Sequence, residues 1–228
     1  MKKDIYSGLY AGLLSTIICN PLDVIRTHKQ LNKEYILSVR FLYRGIKSSI
    51  IGIPLFWSIY FPSYNYLKNN NYSILSGYLA CNLASTVTCP IWFIRQRYQV
   101  KGNFEVIKFY KNNGIKPFYN AIIPTYLINI SFLFQIPIYE FLKTKYENNT
   151  TNIFFITVLS KTISTFITYP IDTIRTFKRN NDKLSIKSII NVLNKNKIMY
   201  YSGFFVYLSR GLPSHTITFC TYEYFNKK

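Results

Sequence analysis

The sequence predicts an all-α membrane protein: six transmembrane helices in three parallel two-helix repeats around a pseudo-threefold axis, with short helices in the connections on one side. Three observations lead there. A ten-residue pattern recurs as PLDVIRTHKQ at 21–30, PIWFIRQRYQ at 90–99 and PIDTIRTFKR at 170–179. Six apolar stretches, near 5–27, 46–67, 73–96, 121–142, 152–176 and 202–225, are long enough to cross an apolar core of about 30 Å, which needs roughly 20 residues. Basic residues, finally, are unevenly shared among the connections.

Average composition decides less than its distribution. The mean hydropathy of the 228 residues is only +0.05, but apolar and charged runs are separate. A formal charge of +19 raises nucleic acid as a partner; the long uncharged segments argue against it, and none is expected. Cys19, Cys81, Cys89 and Cys220 lie in apolar runs without C-x-x-C spacing, which reads as small buried hydrophobes rather than metal ligands or disulfides. The opening MKKDIYSGLYAGLLSTIICN has the look of a signal peptide, yet it runs straight into the first repeated segment and has internal counterparts. A single transmembrane domain over 1–228 follows, with repeats at approximately 1–70, 71–150 and 151–228.

Each repeated segment opens with a proline at the end of an apolar run and has an arginine five positions on: Arg26, Arg95 and Arg175. An acid stands two positions on in the first and third, Asp23 and Asp172, and Trp92 in the second. Proline removes a backbone donor and bends a helix, while acid and arginine three apart share one helical face. Two spans per repeat return the chain to the same side, so the repeats are parallel and their axis runs along the membrane normal. The connections at 27–44, 95–120 and 175–201 hold 17 Lys and Arg, whereas the termini and the connections at 63–72 and 141–152 hold seven. That bias turns the proline side inward. The inward connections leave room for short amphipathic helices around 104–110 and 184–193, and their charge suits anionic lipid head groups. Gly8 and Gly12 give the first span a small-xxx-small face for close packing. Pro54 and Pro213 interrupt spans two and six, while span four has Pro124 and Pro137 elsewhere.

The three segments resemble the P-x-[DE]-x-x-[KR]-x-[KR] signature of the mitochondrial carrier family, transporters made of three two-helix repeats, and the resemblance covers nearly the whole chain. The Lys, Asn, Tyr and Ile-rich style suggests a compact relative from an AT-rich genome, that of a giant DNA virus or a parasite. The resemblance implies a multi-pass protein of the mitochondrial inner membrane with its proline side in the matrix. It also implies a matrix gate in which Asp23 meets Arg95 and Asp172 meets Arg26. At 4 Å and an effective dielectric near 20 each pair attracts by about 4 kcal/mol, much of which desolvation removes. Trp92 stands where Arg175 would find its acid, and its ring is expected to offer Arg175 a cation–π contact. Gln30 and Gln99 occupy the family's bracing position, with Arg179 in the third repeat. Tyr43-Arg44-Gly45, Phe118-Tyr119-Asn120 and Tyr200-Tyr201-Ser202-Gly203 resemble its aromatic-basic-glycine lead into the even-numbered helices. Stretches resembling its [FY]-[DE]-x-x-[KR] pattern imply a cytoplasmic-side gate pairing Lys68 with Glu140 and Lys143 with Glu223, leaving Asn226 facing Asn65.

Two cations, Lys161 and Arg210, fall at mid-membrane depth, where a charge is costly and functional by default. Arg210, before Gly211-Leu212-Pro213, resembles the family's substrate-contact arginine, and Gly52, Ile128 and Asn129 lie in the corresponding stretches of spans two and four. No mid-membrane acid is expected to neutralise the two cations, so the solute should be a small anion. Nucleotides fit, with phosphates on Arg210 and Lys161 and the base on Gly52, Ile128 and Asn129. The family's ADP/ATP exchangers carry a run of arginines and methionines after the third proline, whereas this chain has RTFKRN; broader nucleotide or deoxynucleotide exchange by alternating access is therefore expected. A carboxylate or phosphate carrier and a non-transporting membrane scaffold are the alternatives. His28 and His215 have no Ser or Cys and carboxylate partners nearby in sequence, and neither a phosphate loop nor a metal-ligand cluster occurs. Neither an enzyme, a metal nor a cofactor is expected.

Overall fold

A computed structural model describes residues 2–69, 75–145 and 150–211, and every regular element among them is helical. The long helices are α1 (Lys2–Gln30), α3 (Ile46–Asn69), α4 (Ser76–Lys101) and α8 (Thr150–Asn180). Shorter ones are α2 (Val39–Leu42), α5 (Val106–Asn113), α6 (Ile122–Asn129), α7 (Ser131–Lys145), α9 (Ile186–Lys195) and a last helix, α10, that begins at 204–211. Pro21, Pro90 and Pro170 lie inside α1, α4 and α8, so each repeated segment is helical throughout.

The fourth expected span is a pair of helices with a break at Ile130. There the ladder tightens, Ile130 donating to Leu127 O at 3.3 Å and Leu133 to Ile130 O at 2.8 Å. Ser164 of α8 also donates its hydroxyl to the Ser131 carbonyl at 2.6 Å. A side chain reaching into the ladder is a recognised cause of such a break. Within the sixth expected span, residues 212–225, including Pro213, lie outside the described residues.

Each proline-side connection carries a short helix. Ser38 and Ser185 cap α2 and α9 by accepting N–H bonds from Phe41 and Ser188 at 3.3 and 3.1 Å, which satisfies donors that a helix start leaves open. α9 buries Ile189 and Leu193 against Leu31 at the end of α1 and Phe177 near the end of α8. Phe104 and Phe118 pack on Phe93 of α4, with Phe109 of α5 against them. These two small cores clamp the connections to the ends of the proline helices.

Along the long helices the usual burial pattern is reversed. Leu14, Ile17 and Ile18 of α1, Leu83 and Val87 of α4, and Phe155, Phe166 and Ile167 of α8 are exposed. Asn20, Thr88, Ser164 and Thr173 are completely buried. Water would penalise so much uncovered apolar surface; hydrocarbon would not. α4 is, among the described residues, the helix long and apolar enough to cross a membrane by length and composition. Cys19, Cys81 and Cys89 are buried free thiols.

Gly45 and Gly203 have φ of +77° and +81°, which L side chains rarely adopt. A Cβ on Gly45 would lie 2.8 Å from the Arg95 carbonyl oxygen, and one on Gly203 3.2 Å from that of Arg26, so each glycine seats a following helix against a proline helix of another repeat. In the second repeat Asn120 has an ordinary φ of −56° and instead donates its amide to the Asp182 carbonyl at 3.3 Å. Gly45→Ala is expected to cost roughly 1–3 kcal/mol, read as a lower midpoint of thermal unfolding in detergent. Gly211→Ala, with nothing within 4 Å, should leave the midpoint unchanged.

Candidate functional site

The acids and arginines that follow the three prolines meet in one cluster. Asp23 of α1 accepts a hydrogen bond from Arg95 Nη2 of α4 at 2.7 Å. Arg210 of α10 brings Nε to 3.1 Å from the other Asp23 oxygen, an ion pair whose N–H is not aimed for a hydrogen bond. Asp172 of α8 is bound by Arg26 of α1 and by Arg175 one turn along its own helix. Both carboxylates are buried, Asp23 at 7% and Asp172 at 5% exposure. The cross-repeat partners of Asp23 are thus Arg95 and Arg210, and that of Asp172 is Arg26.

Amides and hydroxyls brace the carboxylates. Gln30 Nε2 donates to Asp172 at 2.8 Å while its Oε1 accepts from Thr176 at 2.9 Å. Gln99 accepts from Thr27 at 3.0 Å. Gln96, a buried neighbour, donates to the Thr176 carbonyl at 2.7 Å and so ties α4 to α8. Arg179, at the bracing position of the third repeat, reaches among the described residues only the Thr125 hydroxyl, at 3.4 Å.

Four guanidinium groups, of Arg26, Arg95, Arg175 and Arg210, therefore share two carboxylates among the described residues, and a fifth, of Arg179, is buried beside Thr125 with no carboxylate of its own. The Nε atoms of Arg26, Arg95, Arg175 and Arg179 are buried with no hydrogen-bond partner. Aromatic rings soften part of the excess: the Arg26 guanidinium lies 4.6 Å from the Tyr207 ring and 5.5 Å from that of Tyr169. Such contacts contribute roughly 0.5–2 kcal/mol each but supply no counter-charge.

Two sequence expectations, on the partners of Trp92 and Arg210, need correction. Trp92 carries Arg95, not Arg175, over its ring at 5.5 Å, because Trp92 Nε1 is held by Thr88 Oγ1 at 3.0 Å and Arg175 turns back to Asp172. Arg210 is not without an acid, since its helix passes beside Asp23. Gly52 is a packing position, where a Cβ would lie 3.0 Å from Ile91 and 3.4 Å from Trp92. Asn129 spends its amide on Asn82 at 2.8 Å and Ser85 at 3.1 Å, which joins α6 to α4; Ile128 beside it is half-buried. Lys161 donates to Gln135 of α7 at 3.3 Å. Lys68 and Lys143 are exposed, while Glu223 and the side chain of Glu140 lie outside the described residues.

A further ion pair escaped the sequence reading. Arg97, seven residues after Pro90 and hence at the second basic position of the repeated pattern, is 3% exposed and binds Asp182 at 2.7 Å. It also lies 4.9 Å from the Phe93 ring. Its place in the pattern was the available signal; His28 and Phe177 hold that place in the other repeats. Burial alone would raise the Asp182 carboxyl, but the bond and charge of Arg97, a backbone N–H and Lys101 hold it below its ordinary value.

The comparisons with known proteins agree in kind. A family model described as mitochondrial carrier protein matches residues 69–150 and 146–228. The chain is 26% identical over 288 residues to the mitochondrial nicotinamide adenine dinucleotide transporter 1 of Saccharomyces cerevisiae, an alignment covering 97% of this chain and 76% of that protein. It is 24% identical over 297 residues to the mitochondrial FAD carrier protein of the same yeast, covering 98% and 96%. A third relative, solute carrier family 25 member 36-A of Danio rerio, is 27% identical over 295 residues, covering 96% and 94%.

Asp172→Asn should strand Arg26 and Arg175 and cost roughly 3–5 kcal/mol, visible as a large fall in the unfolding midpoint of the purified chain. Asp182→Asn should lower it less and with a distinct pH profile. Because the folded carboxyl titrates below its unfolded value, its contribution is complete above the unfolded pKa near 3.9 and fades as pH falls through the folded one. The gap between the two proteins should hold from neutrality to about pH 5 and close below about pH 4.

Proposed function

The chain belongs to the mitochondrial carrier family, and on that premise we propose that it exchanges anionic nucleotides, adenine dinucleotides and deoxynucleotides among them, across the mitochondrial inner membrane by alternating access. It is a carrier-type transporter rather than an enzyme. In this reading α1, α3, α4, the α6–α7 pair, α8 and the helix that opens with α10 span the membrane as three repeats. The basic connections face the matrix. The outward apolar and inward polar faces of the long helices support that arrangement.

The observation that carries the reading is the surplus of arginine over carboxylate in a buried cluster. Unpaired buried charge is costly, and a solute bearing phosphates relieves it. Arg179 holds neither carboxylate and Arg210 holds Asp23 by charge without an Nε hydrogen bond, so these two are the least tied, and Lys161 can join them by releasing its present partners, Gln135 among them. Trp92, Tyr169 and Tyr207 offer rings for the base. A phosphate that draws Arg210 away from Asp23 breaks the ion pair that ties α10 to α1, so solute binding loosens that contact on the matrix side. Differential affinity of that kind is what shifts a two-state equilibrium. Lys68 with Glu140 and Lys143 with Glu223 then close the opposite side. The relatives named for NAD and FAD transport favour nucleotide cofactors over smaller anions.

Reconstituted liposomes test this directly. Preloaded vesicles should exchange NAD, FAD or adenine and deoxyadenine nucleotides, and Arg210→Gln should cut uptake at least about tenfold. Trp92→Asp, by adding an acid to the cluster, should raise thermal stability and slow turnover. Exchange of malate or phosphate alone would replace the nucleotide reading with a smaller-anion carrier, and silence across the whole panel would replace it with a membrane scaffold.

A further inference from the structure

Beyond the arginine cluster, where the ends of all three proline helices come together, lies a pocket of about 250 Å³. Lys33, just past α1, Lys101 at the end of α4 and Lys183, just past α8, line it together with Arg97, Asn180 and Asp182. Arg97 and Asp182 neutralise each other at 2.7 Å, so the charge offered to a ligand is that of three lysines, all exposed. Asn180 is a second, independent indication. It is 6% exposed, and its Oδ1 is buried with no hydrogen-bond partner. Its Nδ2, by contrast, is not sealed and makes no hydrogen bond among the described residues, so the NH2 is at the disposal of an acceptor.

We propose that this pocket binds a soluble phosphoryl dianion, such as pyrophosphate or the phosphate end of a small ester. Compact charge is required, because the volume falls below the roughly 300–1,000 Å³ typical of pockets for larger organic ligands. A soluble source is favoured over a lipid head group by position: the walls are the ends of α1, α4 and α8, not the outward apolar face. Occupancy ties three separate helix ends to one ligand. A ligand held only by the assembled ends stabilises that arrangement and opposes any state in which they part. Binding itself does not depend on the transport reading; inhibition of exchange from the matrix side does.

The test uses the full-length chain in phosphatidylcholine vesicles, with thermal unfolding followed as inorganic pyrophosphate is added at millimolar concentration. A saturable rise in midpoint is expected, persisting in Arg210→Gln and abolished in a Lys33→Gln, Lys101→Gln, Lys183→Gln variant. Where the triple variant does not fold, each single lysine change should weaken the apparent affinity at least threefold. No rise with pyrophosphate overturns the proposal, and a rise seen only on adding anionic lipid assigns the pocket to head groups instead. A rise that survives the lysine changes but is lost in Arg210→Gln places the anion in the arginine cluster and also overturns it. Since unfolding is read without transport, failure here leaves the exchange assay to be judged on its own.

Discussion

Two buried carboxylates hold three helix ends together. Asp23 and Asp172 each carry two arginines: both of Asp23's, Arg95 and Arg210, come from other repeats, while Asp172 takes Arg26 from another repeat and Arg175 from its own helix. A buried ion is tolerated only while it is matched, so neither acid can lose its partners without leaving a cation stranded beside it. This makes closure of the cluster cooperative. It also makes closure modest in strength, because an acid that divides itself between two arginines gives neither a complete set of bonds.

Much of the surrounding structure serves to keep these acids in place. Gln30 ties Asp172 to Thr176, so that α1 and α8 are joined through an amide as well as through charge. Gly45 and Gly203 let the chain turn tightly against the carbonyls of Arg95 and Arg26, which sets the backbone at the very residues that reach the carboxylates. The amphipathic α9 and the Phe93–Phe104–Phe118 core fix the connections beneath. Outside, the exposed leucines, isoleucines and phenylalanines of α1, α4 and α8 suit a lipid surround, which leaves electrostatics and small polar contacts, not hydrophobic burial, to hold the interior together.

The spacing of proline, acid and arginine was legible in sequence because it is local: two positions and five positions from a proline put both groups on one face of one helix. Long amphipathic stretches were legible for the same reason, and α5 and α9 lie where 104–110 and 184–193 pointed. What was not legible depends on where distant elements pass. Arg210 meets Asp23 only because the last helix rises from Gly203 against Arg26, a relation that no spacing encodes. Trp92 takes Arg95 instead of Arg175 because Thr88, on its own helix, fixes the indole N–H. Asn129 also joins α6 to α4, its Nδ2 donating to Asn82 and Ser85, a contact that register alone does not show. The break at Ile130 comes from a serine on another helix, which hydropathy cannot register.

The three repeats are chemically unequal, and the inequality has a direction. Where the first and third place an acid, the second places Trp92; where the first and second place a glutamine, the third places Arg179. One substitution removes a negative charge and the other adds a positive one, so both raise the potential of the same buried cluster. A symmetric arrangement of three acids and three arginines would close without help and offer an anion little. This chain is short of one acid, and Arg175 makes up for it by doubling on Asp172, which leaves Arg26 with half a partner. On the proposed reading a phosphate group enters as the missing counter-charge. It competes with Asp23 and Asp172 for their own arginines, so the charge that draws the solute in is also the charge whose redistribution lets the helix ends part.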